Sequence, residues 1–457
     1  MITLPINFRS LTMNLIRVQL LFMILLLVGC TNHVQIVGEV EADSPSPFDL
    51  ITYADLPANM PRSEAMFADS IKAAVTDGKL PESLAWNNYL QIGHYNTVNK
   101  AAELALEWEL DSITGDGLKD LRKYRLVDAE DYIVKQAQEK NLIIITEAHT
   151  KPQHRVFTRC LLDDLYSVGY RHLGLENILP MYGSKDSQPL DTNLQARGYP
   201  IQGAIAGIFP TEPEYSNLIR HAIKLGFKVF AYERNQSSDS ERDLQQAEHI
   251  IDYQALHPGE KIICHGGWSH AVEERIAKYP GSNSYWLAYH YKTLTGDDPL
   301  TIYQDAMNKK TADTQKSSPY YTAIVEGLST GGTPKVLVDD NGTTWHGPNG
   351  DMPFDIITVE PPLESRNGSG GWYSWACDGE KYRTIDIPQI LSGVVGIEYP
   401  VIVELRRLYD SEIATPIYAT ELAENIRLPN VQVWDYNYRL DVKDSNGKKM
   451  RLPVDKK

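Results

Sequence analysis

The chain has 457 residues, of which 42% are hydrophobic and 23% are charged, as in an ordinary soluble globular protein. This length allows a large core with accessory regions and exceeds that of one small domain. The formal net charge of -16 argues against a nucleic-acid-binding protein, because such proteins need a basic surface.

The first 30 residues have the pattern of a secretory signal. Arg17 precedes the apolar run VQLLFMILLLVG, which is too short for a comfortable membrane span. The run ends in LVGC, which resembles the lipobox of bacterial lipoproteins, so we expect Cys30 to be lipidated. Thr31 follows instead of an aspartate, which predicts a periplasm-facing protein of the outer membrane if the host is Gram-negative. An uncleaved anchor with an incidental cysteine is the alternative.

Composition divides the rest of the chain into four parts. Residues 31–50 are polar with Ser-Pro repeats and predict a tether. Residues 51–126 predict a helical region packed on the core, with KAAELALEWEL as its clearest helix. Residues 127–333 predict an α/β domain that carries the catalytic or ligand-binding site. Residues 334–457 are rich in Gly, Pro, Asn and aromatics and predict a β-rich region, with DDNGTTW as a hairpin turn.

The α/β domain is predicted from strands that alternate with helices. The strand patterns are NLIIITEA, YRHLGLE, FKVFAYE and EKIICHGG. The helix patterns are DAEDYIVKQAQEK, PQHRVFTRCLLDDLYSVG, EYSNLIRHAIKLG, SERDLQQAEHIIDYQAL, WSHAVEERIAKY and YWLAYHYKTLTG. Strands that are apolar on both faces predict a parallel sheet covered by helices on both faces.

The cysteine and tryptophan residues are most simply explained as structural residues. Three thiols besides Cys30 do not make a disulfide framework, and Cys160 and Cys264 are expected to be small core residues. Three tryptophans of the β-rich region could line a ligand surface, but half-buried sheet positions are the more common case. They are Trp345, Trp372 and Trp375.

Ionisable residues stand at the end of nearly every predicted strand. In open parallel sheets, ligands bind outside the carboxyl ends of the strands. One such residue alone usually caps a helix or stays solvated, but their repetition at one edge predicts a functional cleft. In chain order the residues are Glu147 and His149, Glu176, Glu233 with Arg234, Arg242 and Asp243 at a helix start, and His265 and His270.

Two kinds of chemistry suit these side chains. A His or Glu could take a proton from water while a neighbouring Arg stabilises the developing anion. Alternatively, Glu147, His149 and His270 could hold a divalent metal. No HExxH motif and no Gly-rich phosphate loop is present, so no standard zinc-protease or nucleotide site is predicted.

The order EAHTKPQH, LGLE, FKVFAYE, ERDLQQAEHI and CHGGWSHA resembles the haem-binding uptake/Tiki superfamily, and most closely its ChaN-like lipoproteins. The ExHxxPxH pattern of that branch is reproduced by Glu147, His149, Pro152 and His154. The ERDLQQA helix start is similar to that of the erythromycin esterases, and GGWSH resembles the later turn that ends in His270. The resemblance covers residues 127–305, and the extra imidazole of His265 has no counterpart in it.

The resemblance implies a divided function. As in the erythromycin-esterase and Tiki-type relatives, Glu147 and His149 would activate water, with or without a metal. Glu176 would orient that site, Arg242 would hold an anionic group of a small-molecule substrate, and His270 would complete the cleft. As in ChaN-like lipoproteins, His149, His154 or a nearby Tyr would instead ligate haem. An inactive scaffold is a third interpretation, and the many carboxylates favour the hydrolase slightly.

Overall fold

The computed structural model describes thirteen segments of the chain. They are residues 34–36, 64–101, 119–176, 178, 191–202, 209–233, 241–309, 317–328, 332–348, 350–365, 368–375, 379–424 and 430–454. The predicted signal, Cys30, Cys377, Arg234 and most of KAAELALEWEL lie outside these residues.

An eight-stranded sheet forms the centre of the fold. Its strands stand in the order β2-β8-β9-β7-β3-β6-β4-β5, and the run from β9 to β5 is parallel. β8 pairs antiparallel with both β2 and β9. The strands are β2 (Arg125–Asp128), β3 (Leu142–Glu147), β4 (Tyr170–Leu175), β5 (Lys228–Ala231), β6 (Lys261–Gly267), β7 (Leu300–Met307), β8 (Lys335–Val338) and β9 (Ile356–Val359).

Helices begin and end at the signals expected from the sequence. Asp128 caps α4 by accepting hydrogen bonds from two backbone N–H groups, and Pro152 opens α5. Gly226 ends α7 in the left-handed conformation. The helices are α1 (Ala68–Thr76), α2 (Glu82–Gln91), α3 (Tyr95–Ala101), α4 (Ala129–Ala137), α5 (Pro152–Ser167), α6 (Thr192–Arg197), α7 (Pro213–Leu225), α8 (Arg242–Leu256), α9 (Leu287–Thr295), α10 (Pro319–Ile324) and α11 (Ile387–Leu391).

The central strand β3 contributes to two apolar clusters. Ile143 and Ile145 belong to one cluster, and Leu142 and Ile144 belong to another. Side chains alternate across a strand, so the two clusters lie on opposite sides of β3. The predicted α/β content with a mostly parallel sheet is confirmed.

The β-rich C-terminal region is also confirmed. A five-stranded sheet has the order β1-β15-β14-β11-β12, and β10 pairs with β13. β1 comes from the predicted tether, and the predicted boundary at 333/334 is not an edge of the large sheet, because β8 and β9 pair within it. The strands are β1 (Val34–Ile36), β10 (Tyr382–Ile385), β11 (Val401–Arg407), β12 (Tyr418–Leu422), β13 (Val431–Trp434), β14 (Tyr438–Asp444) and β15 (Lys449–Val454).

Two elements differ from the sequence prediction. WSHAVEERIAKY is not a helix: a single 3-10 turn, Trp268–Ala271, is followed by irregular chain. Tertiary contacts outweigh helix propensity here, because His270 and Lys278 both reach one buried carboxylate, Asp243. β7 was not predicted, because polar residues interrupt its apolar pattern; all eight of its residues are buried.

The tryptophan and cysteine positions are settled by burial and bonding. Trp345, Trp372 and Trp375 are all buried, so they are core residues and do not line a surface. Cys264 is a buried free thiol, as expected. Cys160 is buried but disulfide-bonded, which corrects the expectation of a plain core thiol; its partner lies outside the described residues.

None of the helices that the structure describes is long and apolar enough to cross a membrane.

Candidate active site

The end of β3 places a carboxylate and an imidazole together. Glu147 is the last residue of β3 and is 1% exposed, and the Nδ1 atom of His149 lies 2.9 Å from its Oε1 atom. A carboxylate only accepts, so we infer that Nδ1 carries the proton of the neutral ring. The basic atom is then Nε2, which makes no hydrogen bond within the described part of the chain.

A buried guanidinium holds Glu147 in place. Arg155, in the first turn of α5, is 0% exposed and donates from Nε to Glu147 Oε2 at 2.7 Å and from Nη2 to Oε1 at 2.8 Å. Its Nη2 atom also donates to the carbonyl oxygen of His149 at 2.8 Å, and its Nη1 atom donates to Glu212 Oε2 at 2.7 Å. One side chain therefore fixes both the carboxylate and the backbone of the imidazole.

The charges of Glu147 and Arg155 determine the protonation state of both groups. Burial acts to raise the pKa of Glu147, but the charge of Arg155 and the hydrogen bonds from His149, His265 and Arg155 hold that pKa well below its usual range. Burial acts to lower the pKa of Arg155, and its two carboxylate partners raise it instead. Glu147 therefore stays ionised and is too weak a base to take a proton from water at neutral pH.

Glu212 connects this cation to the start of α7. Its carboxylate accepts hydrogen bonds from the backbone N–H groups of Glu214 at 3.0 Å and Tyr215 at 2.8 Å, as an N-cap does. Burial raises the pKa of Glu212, while Arg155 acts to lower it. The guanidinium of Arg155 also lies 5.2 Å from the centroid of the Tyr215 ring. We call Arg155, Glu147, Glu212, His149 and His265 the Arg155 network.

Aromatic rings restrict the imidazole of His149. The ring centroid of His149 lies 4.2 Å from that of Phe209, 4.4 Å from that of Trp268 and 6.2 Å from that of Trp86. Glu147 occupies the Nδ1 side of the ring, and Gly267 is the residue closest to the Nε2 side. The site therefore combines one basic atom with apolar walls.

The Gly-Gly pair at the end of β6 is required by close approach. A Cβ atom on Gly267 would lie 2.5 Å from Nε2 of His149 and 3.2 Å from Oε2 of Glu176. A Cβ atom on Gly266 would lie 2.3 Å from the hydroxyl of Tyr232. A larger residue at Gly267 would push the His149 ring away and one at Gly266 would displace the Tyr232 hydroxyl, so the HGG sequence leaves space for these two side chains.

A second group of charges surrounds Glu176 at the end of β4. This buried carboxylate accepts from the N–H of Gly267 at 2.5 Å, contacts Nη2 of Arg242 and lies 3.3 Å from Nε2 of His270. Arg242, the first residue of α8, also donates from Nε to Glu233 Oε1 at 2.5 Å. Burial acts to raise the pKa of Glu176, but the charge and hydrogen bond of His270 and the charge of Arg242 hold that pKa well below its usual range.

His270 is placed between two carboxylates. Its Nδ1 atom lies 2.6 Å from Oδ1 of Asp243, whose other oxygen contacts Lys278. Burial acts to lower the pKa of His270, but Asp243 and Glu176 raise it to about 9. His270 is therefore a cation at neutral pH and not a base. We call Arg242, Glu176, Glu233, Asp243, His270 and Lys278 the Arg242 network.

The other two predicted histidines, His265 and His154, use their ring nitrogens in contacts within the protein. Nε2 of His265 lies 2.9 Å from Glu147 Oε2 and Nδ1 lies 3.1 Å from Thr158 Oγ1. Nδ1 of His154 accepts from the N–H of Ala148 at 2.9 Å, and burial lowers the pKa of His154 to about 3. The proton of His154 is thus on Nε2, which leaves no lone pair for a metal.

The predicted metal ligands do not fit a divalent metal. Both oxygens of Glu147 already accept from Arg155, and His149 and His270 belong to different networks. Among the described residues, the group whose ligand atoms lie within 4.8 Å of one another is at the other end of the sheet. It consists of His172, His257 and Glu260. No step is therefore derived through a metal at Glu147.

The structure brings the predicted residues together in two adjacent networks, with the backbone of Gly267 between them. Arg155, Glu212 and Lys278 were not predicted to belong to the site. Arg155 directly follows the ExHxxPxH pattern, and Glu212 precedes a helix-opening proline, so weak signals existed for both. No such signal marks Lys278.

Neither a protein-family model nor a curated protein matches this chain. Its fold is similar to that of the type III effector HopBA1, at 12% identity and a TM-score of 0.30 over 52% of this chain and 97% of that one. It is similar to RRSP, a MARTX toxin effector domain from Vibrio vulnificus, at 14% identity and a TM-score of 0.29 over 52% and 45% of the two chains. The C-terminal region of Pasteurella multocida toxin, described as having a thiol-protease-like catalytic triad, has 10% identity and a TM-score of 0.26 over 80% and 51%. Similarities this weak carry no argument about activity.

Proposed function

We propose that this chain is a hydrolase in which His149 activates water. The observation that carries the proposal is the state of the His149 ring: Nδ1 is held by Glu147, Glu147 is locked by Arg155, and Nε2 is free. A general base needs this combination of fixed orientation and an available lone pair. Glu147 is accordingly an orienting residue and not a second base.

The reaction would be acyl transfer to water. Nε2 of His149 takes a proton as the water oxygen bonds to a substrate carbonyl carbon, and the Glu147 carboxylate stabilises the imidazolium that forms. The bond from that carbon to the leaving oxygen then breaks, and His149 returns its proton to the leaving group. Arg242 and the cationic His270 favour negative charge on the substrate or on the developing oxyanion.

We also propose a family, a sheet arrangement and a cellular location for this hydrolase. We infer membership of the haem-binding uptake/Tiki superfamily from the motif series, and a sheet covered by helices on both faces, which would leave the carboxyl-end edge open. We also infer a lipid anchor at Cys30 and a place in the cell envelope. The disulfide at Cys160 supports an oxidising compartment, because disulfides are rare in the cytosol.

Haem binding is the second candidate, and one observation favours it. Nε2 of His149 makes no hydrogen bond among the described residues, and the apolar rings of Phe209, Trp268 and Trp86 surround the imidazole. His149 would then be the axial ligand. His154 does not fit as a second ligand, because its Nδ1 atom accepts from the backbone and its Nε2 atom carries the proton.

Two assays on the full chain in mild detergent separate these candidates. The first follows hydrolysis of a panel of p-nitrophenyl esters with neutral and anionic acyl groups, and the second follows the Soret band in a haem titration. The proposal predicts ester hydrolysis that is lost in His149→Ala, with no saturable haem binding. Saturable haem binding that weakens in the same variant, without hydrolysis, would replace the hydrolase by a haem-binding protein.

A further inference from the structure

A pocket lies beside the C-terminal half of α7, away from the proposed active site. It has a volume of about 310 Å³, which is the size of a small-molecule site. α7 forms one wall, and the ends of β11 and β13 form the other. Glu212, at the start of α7, belongs to the Arg155 network, and Arg220 lies eight residues further on, roughly 12 Å along the helix.

Arg220 brings an incompletely bonded cation to this pocket. Its Nη2 atom pairs with Asp410 at 2.8 Å and donates to the carbonyl oxygen of Thr415 at 2.8 Å. The side chain is only 3% exposed, and its buried Nη1 atom has no hydrogen-bond partner among the described residues. Nη1 has almost no accessible surface, so Arg220 contributes positive charge beside the pocket and not an exposed donor.

Arg407 brings a partly exposed cation to the pocket. Its guanidinium lies 4.6 Å from the centroid of the Tyr436 ring, and no carboxylate contacts it among the described residues. The ring of His221 adds a buried Nδ1 atom without a hydrogen-bond partner, while its Nε2 atom is bound to Asp163 at 2.5 Å.

The lining residues include more basic than acidic side chains, and Asp410 and Asp163 pair with Arg220 and His221 from outside the lining. Arg220, Arg407 and Lys224 carry three positive charges, and Glu380, which pairs with Lys224, carries the one negative charge among the lining residues that the structure describes. Trp434 supplies an apolar surface beside these charges. Guanidinium groups bind carboxylate and phosphate oxygens through paired hydrogen bonds.

We propose that this pocket binds a small organic anion, with a carboxylate or phosphate monoester group held by the guanidinium of Arg407. The organic part of the ligand lies against Trp434. This site is separate from the proposed hydrolase, since neither network contributes a residue to the pocket lining. The two proposals can therefore fail independently.

The test is isothermal titration calorimetry of the full chain in mild detergent with benzoate and phenyl phosphate, and with benzamide as the neutral analogue. Arg407→Gln is the variant, because Arg407 has no carboxylate partner whose loss would disturb the fold. Arg275→Gln is the matched control: Arg275 also lies over a tyrosine ring, 5.3 Å from the Tyr285 centroid, but it is exposed and outside the pocket. Circular dichroism and the melting temperature confirm that both variants fold.

We expect saturable binding of both anions, a loss of at least tenfold in affinity in Arg407→Gln, and a change of less than twofold in Arg275→Gln. His149→Ala should bind the anions as wild type does. Binding that is absent, equal in the two arginine variants, or equally strong for benzamide would overturn the proposal. Tighter binding of phenyl phosphate than of benzoate would identify phosphate as the preferred group.

Discussion

The Arg155 network and the Arg242 network stand side by side at one edge of the sheet, yet they differ in how far water reaches the central cation. The Arg155 side chain is 0% exposed, whereas that of Arg242 is 27% exposed. A cation without water can only hold its own carboxylates in place, whereas a partly exposed cation can also contact a substrate. We therefore assign positioning to the first network and recognition of negative charge to the second.

The largest difference between the networks is expected in stability. Arg155→Met would leave Glu147 and Glu212 buried without their cation, which should cost about 3–5 kcal/mol of unfolding free energy. Arg242→Met should cost about 1 kcal/mol, because Glu176 keeps its bonds from Gly267 and His270. Urea unfolding followed by circular dichroism measures both values. Equal losses would show that exposure does not distinguish the two networks.

The pH dependence of stability tests the Arg242 network alone. The pKa of His270 is raised from 6.5 to about 9 in the fold, so its stabilising contribution is complete below pH 6.5 and is lost as pH rises through about 9. The difference corresponds to about 3 kcal/mol. We expect wild type to lose this stability relative to His270→Gln between pH 6.5 and 9.5 in urea titrations. Parallel curves for the two proteins would contradict the assignment.

Recognition of anionic substrates should depend on Arg242 more than on the buried Arg155. Arg242→Gln should raise KM for anionic esters about tenfold, or about 1.4 kcal/mol, and leave neutral esters within twofold. Initial rates on paired neutral and anionic p-nitrophenyl esters provide the measurement. An equal rise in KM for both ester types would remove the recognition role.

The smallest effect is expected from metal removal. Neither network offers a converging set of free metal ligands at Glu147, so exhaustive dialysis against EDTA should leave ester hydrolysis within twofold of its starting rate. Metal analysis by mass spectrometry provides the control for complete removal. A loss of activity that Zn²⁺ restores would return the metal-assisted mechanism that the residues also suggested.

The sequence predicted which residues lie at the edge of the sheet, but not which of them bond to one another. Glu147, His149 and Glu176 were predicted because apolar strand runs end at them, and parallel strands share one carboxyl edge. The partnership of Arg155 with Glu212 spans 57 residues, and no local period reports such a pair. The roles of His149 and Glu147 also could not be separated, since both stood at the same strand end.

The errors in the fold have similar physical causes. Thr301, Gln304 and Asp305 hide the apolar pattern of β7, although Gln304 is satisfied by donating to the carbonyl oxygen of Thr146 at 2.9 Å. The segment after Trp268 has a helical pattern, but His270 and Lys278 are held by Asp243 in irregular chain. Buried polar contacts between distant segments decided both cases.

Imidazole rescue tests whether Nε2 of His149 is the base that activates water. His149→Ala should lower kcat for ester hydrolysis by about 10²–10⁴-fold. Added imidazole should restore part of this activity in a saturable way while leaving wild type and His257→Ala, at the far end of α8, unchanged. Wild-type rates in His149→Ala, or equal stimulation of all three proteins by imidazole, would contradict the account.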